Sequence, residues 1–155
     1  MFSPLAGRIF PMQSSAPLEQ GDFEALSEFR YQMRRFLKFS EDAAHSVGLT
    51  PLQYLALLHI KGYPGQDSVT VGQLAERLQM KHHGAVALVS RCEQAGLVSR
   101  TQGREDRRQV LVGLTALGES QLRHVAELHR NELKSLSKVF KVARISAFND
   151  GESLS

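Results

Sequence analysis

The sequence predicts a mainly α fold with one small β-hairpin, and three observations carry that expectation. Apolar residues recur at steps of three and four over several stretches, the longest being 22–48 and 115–145, which is the period of helices with one buried face. Two five-residue β-type runs, 97–101 and 110–114, instead stand on either side of a polar turn, as in a hairpin. The 155 residues are 42% hydrophobic and 23% charged, the composition of an ordinary soluble domain rather than a fibrous or disordered chain.

Residues 1–21, with Pro4, Pro11 and Pro17 and no period, read as a flexible N-terminal arm. The first long helix follows over 22–48. Leu26, Phe29, Met33, Phe36, Ser40, Ala44 and Val47 form its stripe, and Gly48 stands where a left-handed terminator is wanted. Thr50-Pro51-Leu52-Gln53 opens a second helix: threonine caps, proline suits the first turn, and glutamine completes a capping box. Gly62-Tyr63-Pro64-Gly65 breaks that helix.

Thr70-Val71-Gly72-Gln73 repeats the capping signal and starts a short helix through Leu78. Another helix runs from about His82 to Ala95, with Ala85, Leu88, Val89 and Cys92 inward and Gly96 as its end signal. The hairpin is joined by the turn 102–108. Thr115 then caps a last long helix carrying Leu122, Val125, His129, Leu133, Leu136 and Phe140. Residues 146–155 read as a frayed tail. Long helices at each end would therefore flank a compact centre over 49–114.

Several classes are excluded. No apolar run approaches the roughly 20 residues of a membrane span, and the N-terminus lacks the apolar centre of a secretory signal. One cysteine, Cys92, makes no internal disulfide. A cytoplasmic chain is expected. No Gly-rich phosphate loop, metal-ligand cluster or Ser/His/Asp set appears, so neither an enzyme nor a cofactor is expected.

The formal charge is +3. Between Val71 and Thr115 seven basic residues face four acidic ones, and that surplus equals the net charge of the whole chain. A single polyanion-binding face would produce this distribution.

The short helix, the turn and the helix from His82 make a helix-turn-helix, and the charged hairpin beside it makes it winged. The second helix fits a DNA major groove, with its N-terminal amides near phosphate. Lys81, His82 and His83 at its entrance and the outward Gly84, Val86, Ala87, Ser90 and Arg91 are the candidate DNA contacts. That face is poor in bidentate hydrogen-bonding groups, so direct base readout should be weak. The hairpin would present Arg104, Arg107 and Arg108 to the adjacent minor groove. Adjacent histidines point about 100° apart on a helix, which makes His82 and His83 a poor chelating pair.

Residues 49–118 resemble the MarR (multiple antibiotic resistance regulator) family of winged-helix transcription factors. The matching segments are Leu49-Thr50-Pro51, Gln73 through Leu78, Arg91 through Val98, and Glu105-Asp106-Arg107-Arg108 running on to Thr115. With its flanking helices the resemblance covers about residues 22–142. It implies a homodimer whose terminal helices intertwine and whose two winged domains grip a palindromic operator on double-stranded DNA. Such proteins usually repress, and many release DNA when a small aromatic or lipophilic effector binds. By resemblance, Asp106 pairs with Arg108 and positions it.

The chain departs from the family in placing Lys81 where a Ser or Thr cap is usual and Cys92 where Leu is usual. Cys92 reads as a buried packing residue. The stripes at Phe29, Met33 and Phe36 and at Val125, His129, Leu133, Leu136 and Phe140 are too long for a small winged domain to cover, and are assigned to the dimer interface. The alternative reading is a winged-helix protein-interaction module that binds no specific DNA.

Overall fold

The structure, a computed structural model, describes residues 16–140, with side chains to Lys134. Residues 1–15 of the expected arm, residues 141–145 and the expected tail 146–155 lie outside the described residues. The elements are α1 (Gln20–Ser46), α2 (Pro51–Lys61), β1 (Ser68–Val69), α3 (Val71–Leu78), α4 (His82–Gln94), β2 (Val98–Gln102), β3 (Val110–Leu114) and α5 (Ala116–Phe140).

The termini of these elements are chemically specified. Thr50 and Thr70 each cap with the hydroxyl while Gln53 and Gln73 reach back to the cap amide, so both capping boxes close. Gly48 and Gly96 have φ of +80° and +73°, conformations that cost glycine little. The Thr115 hydroxyl accepts from the Gly118 amide at 3.1 Å and donates to the Gly96 carbonyl at 2.5 Å. That one side chain therefore ties the start of α5 to the end of α4.

The sheet is larger than the hairpin expected from sequence. It has three antiparallel strands in the order β1-β3-β2, with Ser68 opposite Gly113 and Ser99 opposite Gly113 from the other side. A two-residue strand is too short to show alternation, which is why β1 escapes a reading by period.

The described residues divide into two compact units, one holding 16–35 together with 135–140, the other Phe36–Lys134. In the first, the start of α1 is secured by Asp22, whose carboxylate accepts from the Glu19 amide at 3.0 Å. Arg35 lies 5.9 Å over the Tyr31 ring. The second unit carries the core: Ala44, Leu57, Ile60, Leu74, Leu88, Val112 and Val125 are almost fully enclosed.

Two interface assignments are corrected by the packing. Val125 and His129 are covered by the chain's own residues, at 0% and 4% exposure. His129 stacks on Tyr54 (5.2 Å, 10°) and meets the edges of Phe36 (5.8 Å) and Phe39 (5.4 Å). Its Nδ1–H donates to the Val125 carbonyl at 2.7 Å. The inward stripe at the C-terminal end of α1 therefore runs through Phe36, Phe39 and Ala43, and helical period alone does not tell a core neighbour from a partner subunit. Met33 and Leu133, by contrast, are 43% and 50% exposed, and Phe29 is half-buried. The side chains of Leu136 and Phe140 lie outside the described residues.

Candidate nucleic-acid interface

The turn between α3 and α4 is made without glycine. Gln79 takes φ +52°, its backbone N–H bonding to the Ala75 and Glu76 carbonyls, and its side-chain amide donates to the Glu76 carbonyl at 2.7 Å. Asparagine and glycine are commoner at such sites; here the extra side-chain bond offsets the cost. Met80 N–H also returns to the Ala75 carbonyl, completing a tight reversal.

The next helix begins at Lys81, which is extended and makes no side-chain cap. The first amides of α4 thus remain available to an outside acceptor, the local condition for phosphate at a helix start. Lys81, His82 and His83 are all exposed there. Ala85, Leu88, Val89 and Cys92 are buried against the core, which turns Val86, Ala87 and Arg91 outward as the period requires. Gly84 is only half exposed, because Met80 Cε lies 3.3 Å from where a Cβ would stand. Burial pushes the Cys92 thiol up to about 11, the environment of an inert packing residue.

The wing turn is closed by backbone and by Asp106. Gly103 N–H donates to the Gln109 carbonyl at 2.8 Å, and Gln109 N–H donates to the Asp106 carbonyl at 3.1 Å. The Asp106 carboxylate accepts from the Arg108 amide at 3.0 Å and lies 3.7 Å from the Arg108 Nε. Its stronger bond is therefore to the backbone, so it shapes the turn that carries Arg108 and steers the guanidinium only loosely. Arg108 is 96% exposed, and Arg104 and Arg107 are exposed beside it.

Two findings lie beyond the sequence reading. Ser90, assigned to DNA, is engaged by Arg100: the guanidinium Nη2 donates to its hydroxyl at 3.0 Å. Arg100 also stands 3.6 Å from Glu93, although in the sequence it counts only toward net charge. Strand alternation is the signal that could have found it, since it places Arg100 on the face shared with Val98, the face toward α4.

A short helix, a tight turn, a second helix with one solvent face and a basic hairpin beside it define a winged helix-turn-helix. Residues 47–109 match the MarR family. The chain is 32% identical over 78 residues to the transcriptional repressor MdtR of Bacillus subtilis, covering 50% of this chain and 48% of that one. It thus spans about half the length of that curated relative. A MarR family protein from Bacillus stearothermophilus superimposes with a TM-score of 0.69 at 24% identity, covering 86% of this chain and 91% of that one. A Staphylococcus aureus MepR variant bound to an oligodeoxyribonucleotide has the same fold, with a TM-score of 0.60, 18% identity and coverage of 72% and 80%. Over residues 47–109 the chain is thus similar to the MarR family, and the curated relative it matches is a transcriptional regulator and not an enzyme. Among the described residues no helix is long and apolar enough to cross a membrane.

Proposed function

We propose that the protein is a sequence-specific repressor that binds a palindromic operator in double-stranded DNA as a homodimer and is released by a small aromatic or lipophilic effector. The observation that carries the DNA part is the cleft between α4 and the wing. Arg100, Arg108 and His82 line it and no acidic side chain among the described residues does. The MepR variant supports the same reading, since it has this fold and carries an oligodeoxyribonucleotide.

Lys81, His82, His83, Arg91, Arg104, Arg107 and Arg108 would meet phosphate and groove edges. Val86 and Ala87 would offer apolar contact to thymine methyls. The dimer part draws support from apolar residues left exposed on the two long helices, among them Tyr31, Met33 and Leu133 at 56%, 43% and 50%. Two-fold pairing would set the two α4 helices about 34–36 Å apart, one turn of DNA.

The test is footprinting of the chain on the DNA upstream of its own gene, with affinity followed against salt and mass measured by sedimentation. A protected inverted repeat, a steep salt dependence and a dimeric mass are expected. A chain that binds no duplex at low salt would instead be a protein-interaction module.

A further inference from the structure

In duplex DNA a major groove and its neighbouring minor groove are divided by a single sugar-phosphate strand. A protein that lays a helix in one and a hairpin in the other must straddle that strand. Between α4 and the hairpin is an open cleft of about 470 Å³. His82 and Val86 of α4 form one wall, Arg108 and Gln109 the other, and Gly72 at the start of α3 closes the end.

Arg100 belongs to this cleft and differs from the arginines of the hairpin tip. Its side chain is 34% exposed against 96% for Arg108. The hydrogen bond to Ser90 and the ion pair with Glu93 hold its guanidinium in place before any ligand arrives. An ordered cation loses less entropy on binding than one that swings free. Five N–H donors also let a guanidinium keep one partner while taking another.

We propose that Arg100 grips a phosphate of the strand dividing the two grooves, and that Glu93 restrains it in the free protein. The phosphate takes the place of the Glu93 carboxylate, while the bond to Ser90 persists and keeps the fork aimed. Glu93 thereby weakens DNA binding by holding Arg100. This proposal rests on the DNA-binding reading above.

A phosphate contact needs no operator, so the probe is a fluorescein-labelled random-sequence duplex of about three helical turns, titrated by anisotropy from about 50 to 200 mM salt. The proteins are wild type, Arg100→Gln, Glu93→Gln, the double variant, and Glu127→Gln on α5 as a control for net charge. Arg100→Gln should weaken binding about eightfold at 0.1 M salt per bound protomer and lower the log–log salt slope by about 0.9, the signature of one phosphate contact. Glu93→Gln, at an exposed position, should tighten binding more than Glu127→Gln does, and that gain should vanish in the Arg100→Gln background. A purely structural tie between β2 and α4 predicts no tightening from Glu93→Gln. If wild type binds but Arg100→Gln keeps its affinity and slope, or if the Glu93→Gln gain survives without Arg100, the proposal is overturned alone. If wild type fails to bind at the lowest salt, the DNA-binding reading falls and takes the proposal with it.

Discussion

Gly118 is the third residue of α5, and its backbone presses on the first residues of the hairpin. A Cβ built there would overlap the Leu97 carbonyl oxygen and stand 2.9 Å from its carbon and 3.3 Å from its Cα. All three are backbone atoms, held by the Thr115 N–H bond to the Leu97 carbonyl at 3.0 Å, so they cannot rotate away as a side chain would. Alanine at this position must lift the start of α5 and loosen Leu122 and Val125, which are 4% and 0% exposed. Overpacking of this kind costs about 1–3 kcal/mol, with a rigid backbone neighbour placing the cost near the top of the range. The helical preference of alanine over glycine returns up to about 1 kcal/mol. The expected net loss for Gly118→Ala is about 2 kcal/mol, a fall of about 4–8 °C in Tm for a chain of this size. Gly72 provides the internal comparison. It is also near a helix start, but its added Cβ would meet only the Thr70 hydroxyl at 3.9 Å. Gly72→Ala should therefore be neutral or stabilising by up to about 0.5 kcal/mol. Urea and thermal unfolding followed by circular dichroism at one protein concentration would measure both, the fixed concentration being needed if the chain dimerises. If Gly118→Ala matched or exceeded wild-type stability, the inferred close approach would be wrong.

Arg108→Ala should weaken duplex binding and reduce the salt slope by about one for each phosphate it no longer neutralises, whereas Val86→Glu or Ala87→Glu should change which duplex is preferred; equal affinity for Arg108→Ala at physiological salt would show the wing is not engaged. Cys92, 1% exposed and with its thiol pushed up to about 11, should resist a thiol-reactive dye at pH 8 in the folded protein and react promptly in denaturant, and fast labelling of the folded chain would contradict its burial. Hydrogen bonds from Lys61 and then Arg123 hold the Glu119 carboxyl below its ordinary value. The folded form binds its proton less readily than the unfolded one, so the contribution is present above the ordinary value of 4.5 and is lost as pH falls through the lower folded value. The stability gap between wild type and Glu119→Gln should thus be constant near neutral pH and close below about pH 4, and a gap that widened in acid would contradict the sign.

Local signals are strong enough in the sequence to place most elements. The Thr-x-x-Gln pairs at Thr50 and Thr70, the glycines at Gly48 and Gly96 and the bond from the Gly118 amide to the Thr115 hydroxyl act through neighbours within a few residues, so their consequences can be read without a fold. The same holds for the core face of α4, because the 3.6-residue period alone puts Ala85, Leu88, Val89 and Cys92 on one side. Tertiary structure decided whatever depends on partners distant in the chain. It closed Tyr54, Phe36 and Phe39 around His129, which an apolar stripe could equally have offered to a second subunit. It added β1 to the sheet, since two residues show no alternation until β3 lies beside them. It also brought Arg100 across to Ser90 and Glu93, ten and seven residues back along the sequence but adjacent once β2 packs on α4. The division follows from the range of the forces involved: capping and periodicity act within one or two turns of the chain, whereas burial and charge pairing act through space between residues that only the completed fold makes neighbours.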